Sequence, residues 1–101
     1  KIDAPKRVPV VDLSGSGLAF AWPKSVGLES DAAIEINDIP GIGTLEVMTR
    51  VMRSTRIERE DDTPIYHIGV QFQEISRSMR DKIIRYLFQV QRAQVERVKH
   101  D

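Results

Sequence analysis

Between residues 65 and 90 the hydrophobic period changes once, and that change limits the folds open to the chain. Tyr66, Ile68, Val70 and Phe72 alternate with His67, Gly69, Gln71 and Gln73, the period of two that marks a strand with one buried face. After Ser76 the spacing turns helical: Met79, Ile83, Leu87 and Val90 form a stripe, widened by Ile84 and Phe88. The pattern predicts a strand over 65–73 with Tyr66, Ile68, Val70 and Phe72 buried, followed by a helix over about 78–95. Ser76 or Ser78 is placed to cap that helix by accepting a bond from an orphan backbone N–H. Past Val90 the apolar face thins to Ala93, Val95 and Val98 among charges. This tail is expected to leave the folded body, fraying in solvent or meeting a partner.

The rest of the chain reads as further strands. Val8, Val10 and Val11 make a β-branched run interrupted by Pro9, and Leu18-Ala19-Phe20-Ala21-Trp22 makes an apolar run of strand length. In Ala32–Asn37, Ile34 and Ile36 point inward and Glu35 outward. Asp38 to Gly43 is a turn, its Pro40-Gly41 pair suiting the two central positions of a type II turn. A long strand runs from Thr44 towards Arg56, with Leu45, Val47 and Val51 on one parity and Glu46, Arg50 and Met52 on the other. Met48 and Met52 disturb that alternation and point to a bulge or bend. Glu58 to Pro64 holds four acids, an arginine and a proline, a solvated hairpin loop. Gly69 removes a side chain in mid-strand, a cost that a ligand, the N-terminal arm or a simple bulge could offset.

Asp12-Leu13-Ser14-Gly15-Ser16-Gly17 joins the first two strands. Asp12 offers two acceptor oxygens to a planar N–H edge, Ser14 adds a hydroxyl, and Gly17 either leaves room or takes a positive φ. The same residues could instead form a polar turn in which Asp12 caps local backbone N–H groups.

Read with its surroundings, this stretch resembles one of the two signature motifs of PilZ domains, Asp-x-Ser-x-x-Gly, carried here by Asp12, Ser14 and Gly17. The likeness continues through the strands already described, Gly69-Val70-Gln71-Phe72, and Ile83-Ile84-Arg85-Tyr86-Leu87 leading into Gln91-Arg92 on a closing helix. It implies an all-β fold, a small antiparallel barrel of about six strands with a C-terminal helix. It also implies a non-enzymatic receptor for cyclic di-GMP in bacterial signalling that governs motility, biofilm or exopolysaccharide, with flagellar-brake-type proteins as the nearest flavour. Asp12 would take the guanine edge, Ser14 the base or nearby backbone, and Gly17 would permit close approach; Gly69 joins the candidate ligand contacts through its missing side chain alone.

The family's second motif, Arg-x-x-x-Arg in the arm before the first strand, is not intact here. Lys1 stands near the place of its last arginine, and Lys6-Arg7 supplies charge without the spacing. Lys1 or Arg7 is therefore the expected source of positive charge for phosphate. The segment from Lys1 to Asp12 is also short for the family, by roughly one short strand and its turn. The ligand would order the arm across the barrel and alter a partner-binding surface. The partner implied is a flagellar motor, a cellulose synthase-type enzyme or similar, and a homodimer through the C-terminal helix is open. The alternative is a PilZ-fold adaptor that binds only protein.

Composition closes other routes. The 101 residues make one domain over 1–101, expected to be the C-terminal part of a longer protein, since the sequence starts at Lys1 without a methionine. Fifteen basic and fifteen acidic residues cancel, so no global field recruits DNA, RNA or a membrane. Locally the charge is uneven. Residues 28–49 hold Glu29, Asp31, Glu35, Asp38 and Glu46 without a base, whereas Arg77, Arg80, Arg85, Arg92 and Arg97 make the C-terminal end basic. That end is a solvated face or a dock for an acidic partner. The absence of cysteine excludes disulfides and thiolate chemistry and fits a cytoplasmic location. His67 and His100 are isolated, so no metal is expected. No nucleophile–base pair stands out, Gly15-Ser16-Gly17 lacks the lysine of a phosphate-binding loop, and no enzymatic activity is expected.

Overall fold

The structure, a computed structural model, describes residues 6–90 and 92–98; Lys1 therefore lies outside the described residues. Six antiparallel strands form a closed barrel: β1 (Lys6–Ser14), β2 (Gly17–Trp22), β3 (Asp31–Ile39), β4 (Gly43–Ile57), β5 (Ile65–Phe72) and β6 (Arg92–Val98). Around the barrel the order is β1-β2-β5-β4-β3-β6, and β6 returns to β1. One helix, α1 (Arg77–Val90), lies between β5 and β6 in the chain.

The alternation does what its period requires. Ile68, Val70 and Phe72 are buried and Tyr66 half-buried, packed against the same core. Ile34 and Ile36 face inward from β3, and Val47 and Val51 from β4. At the β3–β4 turn the Ile42 N–H donates to the Ile39 carbonyl at 3.0 Å, and Gly41 sits at φ 79°. That is the type II geometry that Pro-Gly favours. Thr49, fully buried within β4, satisfies its hydroxyl by donating to the Ala32 carbonyl at 2.7 Å, as a buried hydroxyl must. At the end of β4 the pKa of the Arg56 guanidinium is raised by its 2.8 Å hydrogen bond to Glu58 in the loop that follows. Nearby, the Asp61 carboxyl lies below its ordinary range, chiefly because it accepts the Thr63 N–H at 3.0 Å.

Of the two candidate caps, Ser76 is the one used: its hydroxyl accepts the Met79 N–H at 3.1 Å. Ile83 and Leu87 carry the helix into the core, with Met79, Ile84 and Tyr86 beside them. The helix packs against β1 and β3.

The end of the chain corrects the sequence reading. The helix stops at Val90, and the segment expected to continue it or to fray is β6. β6 pairs with β1 through Lys6↔Val95 and Val8↔Ala93, and with β3 through Ile34↔Val95. Ala93 and Val95 are buried. The physical reason is pairing: β1 and β3 each leave an edge, and one strand satisfies both rows of backbone groups. Val90, the last residue of α1, and Phe88, on the helix face away from Ile83 and Leu87, fall outside the core and are 37% and 60% exposed.

Candidate functional site

Two bulges shape the outer wall of the barrel. The β1–β2 register shifts between Val10 and Asp12, and Val11 and Asp12 are consecutively exposed. The β4–β5 register shifts between Val51 and Arg53, and Met52 and Arg53 are consecutively exposed. An extra residue in one strand of a pair re-aims the side chains beside it. Here both bulges turn side chains onto the same stretch of surface.

Between them lies a groove of about 270 Å³, lined by Asp12, Ser14, Met52, Arg53, Gly69 and Gln71 among others. The register places four of its residues in one rank across four strands: Asp12↔Ala19, Ala19↔Gly69, Gly69↔Arg53. Strands lie about 4.8 Å apart, so the two ends of the rank are about 14 Å apart along the sheet. Asp12 stands at one end and Arg53 at the other; between them are only the methyl of Ala19 and the hydrogen of Gly69, and the Arg53 side chain lies over the glycine. Pockets that enclose a whole small molecule run from roughly 300 Å³ upward. This groove is therefore sized for part of a ligand that extends beyond it.

Asp12 keeps both roles that its sequence context left open. Its Oδ1 accepts the Leu13 N–H at 2.9 Å, a local cap, while Oδ2 has no partner among the described residues. Ser14 Oγ lies 3.4 Å from both Ser16 Oγ and the Gly17 carbonyl, long contacts that leave the hydroxyl free to turn.

Gly17 is explained by packing. Its φ is not positive, and a Cβ at this position would overlap the backbone carbonyl of Val70. The missing side chain lets β2 lie against β5, and Gly17 is not among the groove residues. Gly69 has a different neighbour: a Cβ there would meet Nη2, Cβ and Nε of Arg53 at 3.3–3.4 Å. The space left by the glycine is occupied by the Arg53 side chain, which lies across it.

Arg7 stands elsewhere. It lines a second groove of about 180 Å³ with Glu35, Asp38, Tyr86 and Arg92, five positions before Asp12 on the same strand. The cation that the structure brings beside Asp12, Ser14 and Gly69 is Arg53, which the sequence did not single out. Its signal was the broken alternation at Met52 opposite a strand with a glycine in its middle. Among the described residues no group of His, Cys, Asp and Glu could hold a metal ion, and no helix is long and apolar enough to cross a membrane.

The model of the PilZ domain matches residues 4–89. The chain belongs to the PilZ family. Among curated proteins, the chain is 30% identical over 86 residues to the flagellar brake protein YcgR of Azoarcus sp. (strain BH72). It is 32% identical over 87 residues to the flagellar brake protein YcgR 1 of Dechloromonas aromatica (strain RCB). Each match takes in 82% of this chain and 33% of the relative, so the chain spans about a third of the length of the curated relatives it matches. No solved structure matches it. The PilZ motif falls on the β1–β2 hairpin, with Asp12 and Ser14 on the groove and Gly17 beneath it, against β5.

Proposed function

We propose that this PilZ domain is a non-enzymatic receptor for cyclic di-GMP, acting in bacterial second-messenger control of motility. The observation that carries the reading is the groove: the motif residues Asp12 and Ser14 face a floor of small residues, Ala19 and Gly69, on a wall shaped by two bulges. Oδ2 of Asp12 accepts from the N–H edge of a guanine, and the Ser14 hydroxyl bonds the base or the turn beside it. Ala19, between Asp12 and the arginine that lies over Gly69, allows the base to lie close to the sheet. The remainder of the dinucleotide extends past the groove, and Lys1 or Arg7 supplies further charge for phosphate. The domain is read as one part of a longer cytoplasmic protein, in keeping with relatives of about three times the matched length. Its protein partner is of the flagellar-motor kind, in keeping with their names.

Calorimetric titration of the full-length protein with cyclic di-GMP tests this, alongside Asp12→Ala. Loss of a hydrogen bond to a charged acceptor weakens binding by about one to two decades. The melting temperature should hold, since Asp12 is exposed and caps only one local N–H. A lower melting temperature with unchanged affinity would make Asp12 a turn cap and end its assignment to the ligand.

A second reading rests on a separate observation. Val11, 42% exposed, and Phe88, 60% exposed, line a common hollow with Asp12. This apolar surface suits an adaptor that binds protein without nucleotide, a reading that a full-length chain lacking Arg-x-x-x-Arg would favour. Absence of any heat with cyclic di-GMP would favour it.

A further inference from the structure

The groove contains a cation that the motif does not account for. Arg53 is exposed and its guanidinium makes no ion pair or hydrogen bond among the described residues. It nevertheless has a defined bed. Arg53 pairs with Gly69 across β4 and β5, and Nη2, Nε and Cβ all come within 3.3–3.4 Å of where a Gly69 side chain would begin. The bulge at Met52 gives Arg53 its outward direction, and the glycine gives it somewhere to lie. At the other end of the same rank is Asp12.

The geometry points to Arg53 as a ligand-contacting residue, held by Gly69, whose guanidinium takes an anionic phosphodiester oxygen of the nucleotide that Asp12 holds by its base. Three considerations support this. A nucleotide needs an acceptor for its base edge and a donor for its phosphate, and the rank offers one of each about 10 Å apart along the sheet, two strand spacings, because the guanidinium lies over Gly69. A planar guanidinium with several N–H donors suits two phosphate oxygens at once. Arg7 does not line this groove, while Arg53 does. On this view Gly69 is a positioning residue: it acts through Arg53, not by admitting the ligand to bare backbone. The inference rests on the receptor reading, whose ligand it shares.

The test is a double-mutant cycle on the full-length protein, with cyclic di-GMP titrated at low and high salt and a melting curve for each variant. Arg53→Ala should weaken binding by about one to two decades and reduce its salt dependence. Arg53→Lys should recover only part, because a point charge lacks the fork. Gly69→Ala should keep or raise the melting temperature, since glycine in a strand interior is unfavourable, yet weaken binding by displacing the guanidinium. The Gly69→Ala, Arg53→Ala pair should bind no worse than Arg53→Ala alone. Unchanged affinity in both Arg53 variants would overturn the assignment. A Gly69→Ala loss that persists undiminished without Arg53 would overturn the positioning role. A wild-type protein that gives no binding overturns the receptor reading and this one together.

Discussion

The α-carbon of Gly17 rests against the carbonyl of Val70, so the first residue of β2 and the middle of β5 meet backbone to backbone. The Phe72 N–H donates to the Ser16 carbonyl at 2.9 Å just beyond this contact. The motif glycine thus joins the β1–β2 hairpin to the strand that carries Gly69.

Gly17→Ala should therefore act on stability first. The obstacle is backbone, which cannot rotate away, and forcing extra volume into a filled site costs roughly 1–3 kcal/mol. In a domain of this size that lowers the melting temperature by about 4–8 °C per kcal/mol. Thermal unfolding of Gly17→Ala beside Gly15→Ala checks it, because a Cβ at Gly15 meets nothing within 4 Å. Equal melting temperatures would remove the packing explanation.

Val95 distinguishes a barrel strand from a frayed tail. It is 1% exposed and pairs with Lys6 on one side and Ile34 on the other. Val95→Asp buries a charge with no partner, which costs several kcal/mol against a total stability of about 5–15 kcal/mol. Circular dichroism and urea titration should find it unfolded or severely weakened. A variant as stable as the parent would mean that β6 does not close the barrel in solution.

Ser76→Ala should lower stability by about 1 kcal/mol, the usual size of a lost helix cap. Ser78→Ala should be near neutral, because the hydroxyl that accepts the Met79 N–H belongs to Ser76. Comparing the two urea midpoints decides the matter. The reverse order would move the cap to Ser78.

Asp61 adds a small acid-side dependence. Its folded carboxyl lies below the ordinary value of 3.8, first through the Thr63 N–H and then through Arg59 at 3.7 Å. A depressed folded pKa stabilises above the unfolded value, and that contribution fades as pH falls through the folded one. Melting curves from neutral pH to below 3.8 should show Asp61→Asn losing less than the parent on acidification. The difference will be slight, as the pair is exposed and screened.

What the sequence disclosed was local in origin. Ile34 with Ile36, Tyr66 to Phe72, Pro40-Gly41 and the serine before α1 each carry their structural reason within a few residues. The type II turn and the cap follow from chemistry at those positions. What it withheld depends on neighbours far along the chain. Ala93 and Val95 alternate for too few residues, among too many charges, to identify a strand; only the open edges of β1 and β3 explain their burial. The space at Gly69 was visible in the alternation, but its occupant was not, because Arg53 turns outward only after the bulge at Met52. Arg7 shows the converse: nearness in sequence to Asp12 did not bring it into the same groove.

The register Lys6↔Val95 also sets a timetable for folding. The hairpins β1–β2, β3–β4 and β4–β5 join strands adjacent in sequence, whereas β6 must bring the last strand back to the first. Closing so long a loop costs entropy before any contact returns it, which places such pairings late and slows folding. Substitutions in β6 should accordingly speed unfolding and leave the refolding rate nearly untouched, whereas those at the β4–β5 hairpin should slow refolding. Stopped-flow measurements that gave β6 variants the larger refolding defect would reverse this order.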